Sequence, residues 1–164
     1  MSAITFSELP ARTLIGRRAD FYGAMSPKFN GQEVLGPVWG EVQAKRIALG
    51  YPADAILIGA TEPADSPEAA NGLLTQFVGI VVDEIPADLM GLDVFKIDGG
   101  LYASTEHVGS MDGLVASIQK FYGELLPDYG CTQRSGLHLE IYDKRFDLES
   151  PESIMTIAAP VKRN

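Results

Sequence analysis

The sequence predicts an α+β domain in which one strand–helix–strand–strand unit occurs twice, giving a mostly antiparallel sheet with two main helices on one face. Three observations carry this. Short apolar or alternating runs bounded by Gly, Pro and Asp mark strands along the chain. Two longer stretches have helical spacing, one carrying Trp39 and one following Ser110. The element order of residues 1–90 then repeats in 91–164, although the residues themselves are not alike. Two such halves side by side leave a groove between their helices, a natural place for a ligand.

Ile4–Phe6 and Thr13–Gly16 read as strand pieces separated by an irregularity at Leu9-Pro10. Asp20–Asn30, with Gly23 and Pro27, reads as a loop. A helix opens near Gly36-Pro37, since proline suits the first helical position. Val38, Trp39, Val42, Ile47 and Leu49 supply its apolar side, and Gly50 is its stop. Ala55–Gly59 is a short apolar strand, Thr61–Gly72 a polar loop and Gln76–Val82 a second apolar strand. Glu62, Asp65 and Glu68 form a solvated loop edge rather than a metal site, because nothing fixes their geometry.

Asp83–Gly91 is a connection, after which Phe95–Ile97 and Leu101–Val108 are strands broken at Asp98-Gly99-Gly100. No helix follows Gly99-Gly100 directly, so it is a turn or bulge and not a phosphate loop. Ser110 is a candidate N-cap. Beyond it Met111, Leu114, Val115, Ile118, Phe121, Tyr122, Leu125 and Leu126 recur at helical steps until Pro127. Tyr129–Gly136 is loop, Leu137–Tyr142 strand, Asp147–Glu152 turn, and Ser153–Val161 the closing strand.

Composition bounds the function. The chain has 164 residues, 46% hydrophobic and 21% charged, which suits a folded domain with a real core and argues against disorder. A net charge of −9 disfavours nucleic acid or an anionic membrane as partner. No apolar run is long enough to span a bilayer, and the start has no signal-peptide pattern. The single cysteine, Cys131, forms no disulfide within the chain and fits a reducing cytoplasm. Cys131 with His107 and His138 matches neither a cysteine-nucleophile signature nor zinc-ligand spacing, so no metal and no cofactor is expected.

Glu140 is the oddity of the chain. It sits mid-strand in LHLEIYDKRFD (137–147), with Leu137, Leu139 and Ile141 on one side and His138, Glu140 and Tyr142 on the other. It is an exposed strand residue, an acid paired with Arg134 or Arg145, or a carboxyl inside an apolar pocket. In the last case it accepts a cation strongly or has a raised pKa, which suits general acid or base work.

GLYASTEHVG (100–109), the helix after it, and LEIYDKRFD with a closing strand ending Ala159-Pro160-Val161 resemble GyrI-like small-molecule-binding domains, which are also the effector-binding domains of AraC-type and MerR-type multidrug regulators. LPARTLIG and the Trp39 helix are similar in pattern to their first half, so the resemblance covers nearly the whole chain. It implies a tandem βαββ fold with pseudo-twofold symmetry and a pocket at the seam, in a stand-alone domain lacking the regulators' helix-turn-helix. The family's pocket acid falls on Glu140 and its first-helix aromatic on Trp39. Tyr102 and Tyr142 are expected to line the same cavity, or else to be ordinary sheet aromatics. Ala158 and Ala159 stand where larger side chains are common, which changes the pocket's shape.

The resemblance implies binding of bulky, cationic or planar apolar molecules, for sequestration or sensing. Its alternatives are a hydrolase of strained cyclopropane-bearing genotoxins, with Glu140 as acid or base, and a gyrase-interacting protein. The haem-binding SOUL domains share the architecture and supply a further alternative.

Overall fold

In the computed structural model, which describes residues 4–162, one antiparallel sheet carries its helices on a single face. The outer ends of the two predicted halves, residues 1–3 and 163–164, lie outside the described residues. The first half comprises β1 (Thr5–Leu9), β2 (Arg12–Tyr22), α1 (Gly31–Ala48), β3 (Leu57–Pro63) and β4 (Leu73–Val82). The second comprises β5 (Asp93–Ile97), β6 (Gly100–Val108), α2 (Leu114–Lys120), β7 (Thr132–Gln133), β8 (His138–Tyr142) and β9 (Ile154–Lys162).

The strand order is β1-β6-β9-β8-β3-β4-β2-β5, with every neighbouring pair antiparallel, and β7 pairs with the end of β9. Each half thus contributes the same three strands, β2-β4-β3 and β6-β9-β8. The halves meet where β3 pairs with β8, at Gly59↔Glu140 in the middle of the ladder. The edges are exchanged: β1, which leads into β2, pairs with β6, while β5, which leads into β6, pairs with β2. This is the pseudo-twofold βαββ arrangement.

Two apolar clusters follow from the strand period of two. Ile15, Leu57, Val78, Ile80 and Ile157 pack under the helices against Val42, Phe121 and Leu126. Leu14, Ile58, Phe77, Tyr102, Leu139 and Ala158 form a second cluster, which contains no helical residue.

Several elements depart from expectation. α1 begins at Gly31, ahead of the expected Gly36-Pro37 start, and Pro37 lies inside it. Asn30 sets that start: its carbonyl accepts from the Val34 N–H, and its side chain accepts from the Tyr22 N–H at 2.7 Å. Pro37 is exposed, so the carbonyl it deprives of a partner can turn to water. Ile47 is 67% exposed and does not join the apolar side. β2 runs through Tyr22, into the expected loop, because it pairs with β4 as far as Tyr22↔Leu73.

β3 likewise runs through Pro63. The second helix is not uniform. A 3₁₀ turn over Met111–Gly113 leads into α2, a π-helical stretch covers Phe121–Leu125, and a last α turn covers Leu126–Asp128. Ser110 makes no side-chain cap bond, and its carbonyl instead accepts from the Gly113 N–H and meets Nε2 of His107 at 2.8 Å. Pro127 lies within the last turn rather than ending the helix.

Candidate functional site

A groove of about 1180 Å³ lies between the two helices. α1 forms one wall with Leu35, Gly36, Trp39 and Gly40, and the second helix forms the other with Met111, Leu114, Ile118 and Tyr122. Gly36 and Gly40 stand four residues apart on α1, and an added Cβ at either would meet nothing within 4 Å. Their missing side chains keep the wall open beside Trp39. The floor is the seam between halves, where Leu57, Thr61, His138, Glu140, Tyr142 and Ile157 face the helices.

Even-numbered residues of β8 face the groove, and this brings Glu140 and Tyr142 together with Trp39. The Tyr142 ring is wedged edge-on between Trp39 and Phe146, with centroids 4.7 and 4.8 Å away. Its hydroxyl donates to Glu140 Oε1 at 2.8 Å. Gln76 Nε2 donates to Glu140 Oε2 at 3.1 Å and to Thr61 Oγ1 at 2.9 Å. Gln76 belongs to β4 and Glu140 to β8, so the amide must cross β3 to reach the acid. Gly59 is what lets it cross: an added Cβ would lie 2.8 Å from Gln76 Cδ.

Burial pushes the Glu140 carboxyl above its ordinary value, and the bonds from Tyr142 and Gln76 oppose that only in part. Burial, together with the facing carboxyl, holds the Tyr142 phenol well above its ordinary value. Neither Arg145 nor Arg134 pairs with Glu140. Arg145 pairs with Asp143 and Glu106, while Arg134 donates to the carbonyls of Val161, Ser135 and Leu101. The partners of Glu140 are therefore neutral donors.

Tyr102 is not in this groove, a correction to the expectation that it lines the cavity. On β6 the odd-numbered residues Ala103, Thr105 and His107 point toward the helices, so Tyr102 points away. It lines a separate cavity of about 20 Å³ with Leu9, Arg12 and Ile97. There its hydroxyl donates to the Leu137 carbonyl and Arg134 stacks on its ring. Ala158 and Ala159 are fully buried in the two cores and leave Ile157 as the β9 residue at the groove.

Sequence reasoning missed Gln76, Thr61 and Gly59 at the site. The available signals were one polar residue heading an apolar run, QFVGIVV, and a glycine ending another, AILIG. Burial holds the half-buried Cys131 thiol above its ordinary value, which disfavours a nucleophilic thiolate. Among the described residues no cluster of three His, Cys, Asp or Glu is placed to hold a metal, and no helix is long and apolar enough to cross a membrane.

No curated protein sequence matches the chain. The structure of SAV2435 bound to tetraphenylphosphonium is similar at a TM-score of 0.70 and 19% identity, covering 98% of this chain and 94% of that one. An integron cassette protein from the mobile metagenome of Vibrio cholerae is similar at 0.67 and 15%, covering 97% and 95%. The EcmrR C-terminal domain is similar at 0.63 and 16%, covering 100% and 99%. These likenesses show the fold. The family match extends over residues 2–162, and the chain therefore belongs to the GyrI-like small molecule binding domains.

Proposed function

We propose that the groove binds a bulky apolar organic cation, for sequestration or sensing, with Glu140 as its counter-charge and Trp39 and Tyr142 as its aromatic wall. The observation that carries this is a carboxyl on the floor of a large, mostly apolar groove, held in place by neutral donors and paired with no Lys or Arg among the described residues. Such an acid gains most from a ligand that brings its own positive charge. The Trp39 face adds cation–π attraction. That SAV2435 is seen with tetraphenylphosphonium supports the reading by likeness of fold.

The test is thermal shift with tetraphenylphosphonium and with tetraphenylborate, which has the same shape and the opposite charge. At one hundred times its dissociation constant the cation should stabilise the protein by about 2.7 kcal/mol, which is several degrees for a chain of this size. The borate should do little. Glu140→Gln should lose most of the cation's effect. Equal shifts with both ions, or an unchanged shift in Glu140→Gln, would defeat the charge role.

A hydrolase reading uses the same groove, because a carboxyl with a raised pKa can serve as general acid or base. Turnover of a strained electrophilic ring at catalytic protein concentration would support it, and recovery of unchanged ligand would count against it.

A further inference from the structure

The groove holds a second polar group that the cation site leaves unused. His138 stands two residues before Glu140 on β8 and on the same face, so the two side chains leave the strand about 7 Å apart. Tyr122 meets it from the helical wall, its phenol oxygen 2.6 Å from Nδ1 and the rings tilted at a centroid distance of 5.5 Å. Tyr122 follows Leu114 and Ile118 on that wall at four-residue helical steps, while its neighbour Phe121 is fully buried in the core.

The proton positions follow from what each group needs. The Tyr122 hydroxyl has no other acceptor among the described residues, so it donates to Nδ1. Burial keeps that phenol protonated and lowers the pKa of His138, which leaves the ring neutral. The single ring proton then sits on Nε2. That atom has no protein partner among the described residues and is not one of the sealed, unpartnered atoms. It is a free N–H donor at the floor of the groove.

We propose that the groove reads its ligand at two points: a cationic centre at Glu140, and a hydrogen-bond acceptor on the same arm met by the Nε2–H of His138, two residues along β8. The proposal rests on the cation-binding reading above and narrows its ligand class. The preferred ligands are bulky organic cations with a carbonyl or similar acceptor on one arm, rather than all-hydrocarbon cations.

The experiment compares benzyltriphenylphosphonium, its para-methoxycarbonyl derivative and a para-isopropyl control of similar bulk, with affinities from calorimetry on the full chain. The ester places a carbonyl one ring length beyond the charge. It should bind wild type about tenfold more tightly than the isopropyl control. His138→Phe should abolish that preference, bringing the ester and the isopropyl control to equal affinity. Tyr122→Phe should weaken the preference, because Nδ1 then lacks the donor that fixes the tautomer.

Equal affinity of ester and control in wild type, which requires no variant to fold, would overturn the proposal. So would a preference that survives in a His138→Phe protein of normal melting temperature. Glu140-dependent binding of the parent without an ester preference would sink this inference alone. Failure of every probe to bind wild type would sink the cation reading and this one with it.

Discussion

At the scale of single residues, the site is a compromise on Glu140. Burial favours the neutral acid, and Tyr142 and Gln76 favour the carboxylate, with burial winning. The consequence for stability has a definite sign. Below the carboxyl's ordinary value of 4.5 both folded and unfolded chains hold the proton, and Glu140 costs nothing. As pH rises from there to the raised folded value, the unfolded chain ionises where the folded chain does not, so stability is lost, and above that value the loss levels off. Glu140→Gln has no such loss. Its melting temperature relative to wild type should therefore climb with pH and then level off, and a pH-independent difference would refute the assignment. A bound cation should cancel the climb by stabilising the ionised form. Glu140 was legible in the sequence as an acid in an alternating strand, but its direction was not. Period two separates sides without saying which is inward. Tyr102 shows the same gap from the other direction, since the inward parity of β6 is the opposite of that of β8.

At the scale of elements, the acid depends on a gap in β3. Gln76 is fully buried and cannot swing aside, and a Cβ at Gly59 would also lie 3.0 Å from both its Nε2 and its Oε1. Gly59→Ala should therefore destabilise the protein by about 1–3 kcal/mol, seen as a melting temperature several degrees lower. It should also weaken cation binding by displacing a donor of Glu140. Gly36→Ala is the matched contrast, because open space surrounds that position on an exposed helical stretch. There the same change should leave stability equal or raise it by up to about 1 kcal/mol. If Gly59→Ala proved as mild as Gly36→Ala, the bridge across β3 would have no energetic role. The strand-and-helix order was legible because alternation and helical spacing are local. The early start of α1 was not, because it is set by a contact between Asn30 and Tyr22 on another element. The π-helical stretch was hidden for the same reason: helical periodicity counts turns but does not say where core packing will widen one.

At the scale of the whole molecule, duplication has produced one site rather than two, because the pseudo-twofold seam joins unlike residues. At Gly59↔Glu140 one half supplies the acid and the other supplies the space and, through Gln76, a donor. The halves are bound further by their exchanged edges, β1 on β6 and β5 on β2. Neither half is then a closed unit. A fragment of residues 1–90 would lose β5 from one edge of its sheet and β8 from the other. It would also leave the β3 edge unpaired and uncover Leu57, whose neighbours at the seam include Tyr142. We expect the full chain to melt in a single transition and the fragments 1–90 and 91–164 each to lack a cooperative melt. Mixed in equal amounts, the fragments should regain both the transition and the binding of tetraphenylphosphonium, because the exchanged strands and the seam supply each with what it lacks. A sharp melt from either fragment alone would show that the half, and not the pair, is the folding unit. The groove would then be an interface between two self-sufficient pieces instead of the centre of one.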